Sequence, residues 1–178
     1  MSKSVLIVDD HPVVCEAIRK TLETQGYTIV GETADGISAL NMILSLRPDI
    51  VILDVSLEKM DGLTVLKRIA QANLDVRVLV FTAQSVDTYA MRCLQAGASG
   101  FVSKNEPLTK LLKAVDTIVE GYVFFPKKSM PFSDGGRGKH SSDVLAALTN
   151  RELEVLKLLA EGLTNLEIAE KLLSLIHI

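Results

Sequence analysis

Residues 4–10 read Ser4-Val5-Leu6-Ile7-Val8-Asp9-Asp10, a short apolar run that stops on two carboxylates. A run this apolar predicts a strand buried on both faces rather than one wetted on one side. The same figure recurs downstream. Asp49-Ile50-Val51-Ile52-Leu53 stops on Asp54, and Ser99-Gly100-Phe101-Val102-Ser103 stops on Lys104. Parallel strands of an open α/β sheet share the edge at their C-terminal ends, and ligands bind in the crevice outside that edge. Three carboxylates and one ammonium are therefore expected in one pocket. Close carboxylates repel unless a cation lies among them, so the pocket predicts a hard divalent ion, Mg²⁺, and phosphate chemistry.

Working outward, strands are predicted at 4–9, 27–33, 49–54, 76–82 and 99–102, with helices at 12–25, 36–46, 62–72, 84–96 and 106–120. Strand and helix alternating this regularly imply right-handed βαβ crossovers and a parallel sheet. After Gly121 the pattern breaks into a stretch rich in Gly, Pro and Ser, including Pro126, Pro131 and Ser133-Asp134-Gly135-Gly136, which reads as a flexible linker. Helical periodicity returns at Thr149-Asn150-Arg151-Glu152, a capping-box pattern, with Leu153, Leu156 and Leu159 on one face. Gly162-Leu163-Thr164 then leads to a second helix, as at the opening of a helix-turn-helix. The domains expected are 1–124, a linker over 125–147, and a helical fragment over 148–178.

The 178 residues hold one full domain and a fragment. A net charge of −3 carries no whole-chain nucleic-acid signature, although a small DNA-binding module fits within an acidic total. Cys15 and Cys93 lack metal-ligand spacing and read as buried free thiols of a reducing compartment, with a disulfide between them as the alternative. Neither a signal-peptide pattern nor an apolar run of about 20 residues occurs, so a cytoplasmic protein with no membrane partner is expected.

Asp54 is the nucleophile this pattern selects, since a carboxylate can attack a phosphoryl group to give a mixed anhydride. Mg²⁺ takes one or two carboxylates and keeps several waters. Asp10 and Asp54 are expected as direct ligands, Asp9 as the holder of a metal-bound water, and the Ser56 carbonyl as a further ligand. Lys104 would supply countercharge to the phosphoryl oxygens, and Thr82 a hydroxyl donor. Asp10 has a competing role as cap of the following helix, where Pro12 suits a first turn. His11 is read as a helix-initiating residue rather than a ligand.

These residues resemble a two-component response regulator of the NarL/FixJ class, a receiver followed by a LuxR-type helix-turn-helix. The resemblance rests on Val8-Asp9-Asp10-His11-Pro12, Leu53-Asp54-Val55, Met60-Asp61-Gly62, Thr82-Ala83 and Ala96 to Lys104. Asn150 to Leu156 and Asn165-Leu166-Glu167-Ile168-Ala169 resemble the start of the output domain, and Gly121 to Pro126 is similar to the BvgA/EvgA branch. The resemblance implies a flavodoxin-like fold of strand order 2-1-3-4-5, and phosphoryl transfer from a sensor histidine kinase or its phosphotransfer domain to Asp54. It also implies a switch in which Thr82 turns toward the phosphoryl group and Phe101 swings inward, with homodimerisation and DNA binding as the readout.

Three departures stand out. Asn105 follows Lys104 where the family often has proline, and Ser56 to Met60 lacks a frequent proline. The output domain is expected to be truncated after its second helix, leaving no DNA-recognition residues. That last point raises a second reading, a receiver that dimerises or drains phosphoryl groups without binding DNA. A third, an aspartyl phosphatase, fits poorly because such enzymes place Asp-x-Asp on the first strand. The protein is expected not to be an enzyme.

Overall fold

In the computed structural model, which describes residues 2–126, each of the five apolar runs is a strand: β1 (Ser4–Val8), β2 (Thr28–Thr33), β3 (Ile50–Leu53), β4 (Arg77–Thr82) and β5 (Gly100–Ser103). Between and after them lie α1 (Pro12–Glu23), α2 (Gly36–Leu46), α3 (Gly62–Gln71), α4 (Val86–Gln95) and α5 (Leu108–Val119). All strand pairs are parallel, in the order β2-β1-β3-β4-β5, which is the flavodoxin-like order. The linker beyond residue 126 and the helical fragment over 148–178 lie outside the described residues.

Strand alternation builds two cores. Leu6 and Val8 of β1, Val51 and Leu53 of β3, and Val78 and Val80 of β4 face one side with buried residues of α2, α3 and α4. Val5, Ile7, Ile50, Ile52, Leu79 and Phe81 face the other, with Ile18 and Leu22 of α1 and Leu111, Val115 and Ile118 of α5. Truncating a fully buried member such as Ile52 to Ala costs about 2–5 kcal/mol. Cys15 and Cys93 sit one in each core as free, buried thiols, and burial pushes them up to about 11 and about 12. Among the described residues no helix is long and apolar enough to cross a membrane.

The first three helices start where the periodicity places them and α2 also ends there, while the other helix ends fall one or two residues inside the expected ranges. The Asp35 carboxylate accepts from the N–H groups of Ile37 and Ser38, and Asp61 from that of Thr64, which fixes the starts of α2 and α3. α4 begins at Val86 rather than 84, because the Gln84 N–H turns back to the Thr82 hydroxyl (3.3 Å). α5 begins at Leu108 rather than 106, because Pro107, itself in extended backbone, is its N-cap and disfavours helix in the residue before it.

One feature lies beyond the expected elements. After Gly121, whose φ of +93° reverses the chain, Phe124 forms a parallel bridge with Gly100 on the outer edge of β5. The Phe101 N–H donates to the Phe124 carbonyl (2.8 Å), and the Phe124 N–H donates to the Ser99 carbonyl (3.0 Å). Phe124 packs into one core and Phe125 into the other, so these residues alternate as a short sixth strand does. Gly100 permits this approach: a Cβ there would lie 3.1 Å from the Phe124 carbonyl oxygen and 2.8 Å from the Leu79 side chain.

Candidate functional site

β1 and β3 are neighbours in register, Val8 beside Leu53, so the residues that follow them, Asp9 and Asp54, stand side by side. The chain leaves β1 for β2 on one side and returns to β3 on the other. This is the point at which strand order reverses and a crevice opens. Both strands end one residue before their carboxylate, yet the ladder continues: the Asp54 N–H donates to the Val8 carbonyl (2.9 Å) and the Asp9 N–H to that of Thr33 (3.0 Å). The carboxylates are therefore held on rigid backbone.

Lys104 reaches the same corner from the end of β5. Its Nζ lies 2.7 Å from Asp9 Oδ2 and 2.5 Å from Asp54 Oδ2. The lysine side chain is 12% exposed and each carboxylate 2%, so the three charges interact with little solvent screening. Burial alone would lower the Lys104 pKa, but the hydrogen bonds to Asp54 and Asp9 outweigh it and raise it. The ammonium is held charged. Its backbone is tied as well, since the Lys104 N–H donates to the Thr82 carbonyl (2.8 Å).

The other oxygens have different partners. Asp54 Oδ1 accepts from the Ser56 N–H (3.0 Å), and Asp9 Oδ1 accepts from the His11 N–H (2.9 Å). Asp10 makes no capping bond to α1. Its Oδ1 is buried without a hydrogen-bond partner, although His11 Nδ1 lies 2.7 Å away. Asp9, Asp10, His11 and Asp54 each offer one ligand atom within 4.8 Å of the others. Three carboxylates against one lysine leave excess negative charge, and an orphaned carboxylate oxygen is an acceptor that a cation satisfies. This donor set fits a hard divalent ion.

Residues 5–116 match the response regulator receiver domain family, and residues 146–173 match the luxR family of bacterial regulatory proteins. The chain belongs to the LuxR-family response regulators. It is 40% identical over 173 residues to the virulence-factor transcription regulator BvgA of Bordetella pertussis, spanning 97% of this chain and 83% of BvgA. A LuxR-family response regulator from Aurantimonas sp. SI85-9A1 superposes with a TM-score of 0.68 at 32% identity, over 72% of this chain and 94% of that one. RcsB is similar in two settings. Its isolated receiver from Salmonella enterica serovar Typhimurium, with the phosphomimetic BeF3⁻, gives 0.62 at 29% identity over 72% and 96% of the two chains. RcsB dimers bound to DNA give 0.67 at 30% identity over 97% and 83%. The protein is a two-component response regulator that controls transcription, and the relatives are transcription regulators rather than enzymes. The phosphoryl-sink reading draws no support from these comparisons.

Within this response regulator, the residues singled out by the sequence fall into three positions. Asp9, Asp10, Asp54 and Lys104 converge in the acidic corner. Ser56 flanks it on the loop after β3 and Thr82, fully buried, at the end of β4, and Phe101 lies fully buried on β5. Two further residues join them. His11 initiates α1, as expected, but its ring also meets Asp9 (3.2 Å) and Asp10. Gln84 donates from Nε2 to Ser56 Oγ (2.9 Å), bridging the loops that follow β3 and β4. The adjacency of His11 to the acidic pair was a visible signal, whereas nothing in the sequence pairs Gln84 with Ser56 across 28 residues.

Proposed function

We propose that this response regulator accepts a phosphoryl group on Asp54. The observation that carries the reading is the Lys104 ammonium held between Asp9 and Asp54, beside an orphaned Asp10 oxygen, at the strand-order reversal. An Asp54 carboxylate oxygen, exchanging its hydrogen-bond partner for phosphorus, attacks a phosphohistidine on a sensor kinase or its phosphotransfer domain. The new P–O bond forms as the P–N bond breaks, and the electron pair returns to the donor imidazole. Lys104 is already charged and desolvated, so it meets the equatorial phosphoryl oxygens without reorganising solvent. The Thr82 hydroxyl, at the end of β4, donates to the same oxygens. Asp10 and Asp54, Asp9 through a water, and the Ser56 carbonyl would hold Mg²⁺. When bound, that ion neutralises charge shared by the carboxylates and the phosphoryl group.

Residues 1–124 act as the receiver, 125–147 as the linker and 148–178 as LuxR-type output sequence. Phosphorylation promotes a homodimer and, through that sequence, transcriptional control at DNA, a reading that RcsB dimers on DNA support by likeness. Thr82 and Phe101 act as the switch pair between the two ends.

Intact mass after incubation with acetyl phosphate tests the core of this reading. One added phosphoryl group is expected, dependent on both Mg²⁺ and Asp54. An Asp54→Asn protein that gains the same mass, or a parent that gains none, would remove it.

A further inference from the structure

Residues 122–126 lie against the one strand whose far end carries the site lysine. The Phe101 N–H and the Phe124 N–H both belong to this attachment, through the Phe124 and Ser99 carbonyls (2.8 and 3.0 Å). Phe101 puts its side chain, 1% exposed, into the core cluster that Phe125 and Val86 pack against. Three residues further along, Lys104 holds Asp9 and Asp54. A cavity of about 220 Å³ opens beside Phe101, bounded by Val86 at the start of α4, by Phe124, Phe125 and Pro126, and by Glu106 and Lys110 of the β5–α5 side. The space lies between the start of α4 and residues 124–126, so the loop before α4 has room to move toward them without displacing the core.

We propose that residues 122–126 form a strap whose grip on β5 is coupled to the charge state of Asp54. The chain thereby passes the signal from the acidic corner to the sequence that follows residue 126. This inference rests on the reading of Asp54 as the phosphoacceptor. An anion added at Asp54 draws on two donors, the Lys104 ammonium and the Thr82 hydroxyl. Lys104 continues β5, and Thr82 precedes the loop that carries Gln84 and leads into Val86 of α4. Drawing that loop inward closes the cavity from the α4 side and restores dispersion contacts between Val86, Phe101 and Phe125. The strap is the opposite wall, so it holds more tightly when the anion is bound. By reciprocity, loosening the strap weakens anion binding by the same factor.

Residue-level amide exchange of the full chain, with and without beryllofluoride and Mg²⁺, tests this directly, while ¹⁹F NMR reports whether the fluoride adduct is bound. Exchange at Phe101 and Phe124 is expected to slow at least about fivefold on binding. Phe125→Ala is expected to weaken beryllofluoride binding, whereas Tyr122→Ala, on the strap but 68% exposed, leaves it unchanged. A bound ¹⁹F signal with unchanged or faster exchange at both amides overturns the coupling and leaves the phosphoacceptor reading standing. So does a Phe125→Ala protein, folded by its amide spectrum, that binds as tightly as the parent. Absence of any bound signal overturns the phosphoacceptor reading and the coupling with it.

Discussion

The two ends of the sheet each set a lysine against aspartate, and they do opposite things with it. At the N-terminal end, the Asp49 carboxylate accepts from the Ser4 N–H (2.8 Å), the Ser4 hydroxyl (2.8 Å) and Lys3 Nζ (3.1 Å). Its own N–H donates back to Ser4 Oγ (2.9 Å). The Ser4 backbone and hydroxyl, then Lys3, hold its pKa down to about 2. That carboxylate is fully partnered and joins β1 to β3. At the C-terminal end, Asp9 and Asp54 share one buried lysine, and the neighbouring Asp10 Oδ1, buried without a hydrogen-bond partner, has only the His11 ring beside it. The satisfied corner contributes stability. The under-neutralised corner keeps charge in reserve for a ligand.

Removing a charge at each corner separates the two. The largest effect is expected for Lys104→Met. Leaving buried carboxylates without their cation costs about 3–5 kcal/mol, read by urea unfolding in chelator, and Mg²⁺ should recover more stability in the variant than in the parent. An unchanged midpoint would mean that the lysine is not the counterion of the fold.

Next is Asp49→Asn, expected to cost about 1–2 kcal/mol near neutral pH through its lost charge-assisted hydrogen bonds, towards the low end because the side chain is partly exposed. The sign with pH follows from the depressed value. Asp49's contribution is complete above the ordinary 3.8 and disappears as pH falls through about 2. Parent and variant should therefore converge in acid; a gap that does not shrink as pH falls from about 4 through about 2 contradicts the assignment.

Asp10→Asn should have the opposite sign. Without Mg²⁺ it relieves repulsion and stabilises by about 0.5–1 kcal/mol, while calorimetry should record weaker Mg²⁺ binding. Destabilisation in chelator would show that both corners are structural. The smallest effect on stability belongs to Gln84→Ala, which opens the bridge to Ser56. Unfolding should not move, but loss of the phosphoryl group after acetyl phosphate is removed should quicken about two- to fivefold. A rate equal to the parent's would mean that the bridge does not shield Asp54.

Much of this molecule is readable from residue order alone. Ile50-Val51-Ile52-Leu53 is a short, wholly apolar run of the kind that forms a strand buried on both faces, and Pro12 suits the first turn of α1. Local chemistry also put each carboxylate and Lys104 at a strand end, and in a parallel sheet every such end opens on one side. The acidic corner therefore followed from pattern and topology. What required the tertiary structure were contacts between segments with no local signature. The pairing of Phe124 with Gly100 depends on a missing Cβ and on an edge strand lying open, while the Gly- and Pro-rich composition downstream pointed to a linker. The bridge from Gln84 to Ser56, the turn of the His11 ring onto Asp9 and Asp10, and the sharing of Lys104 between Asp9 and Asp54 were likewise set by packing. Hydrophobic periodicity decides which face of an element is buried; only the assembled chain decides which polar groups meet across it.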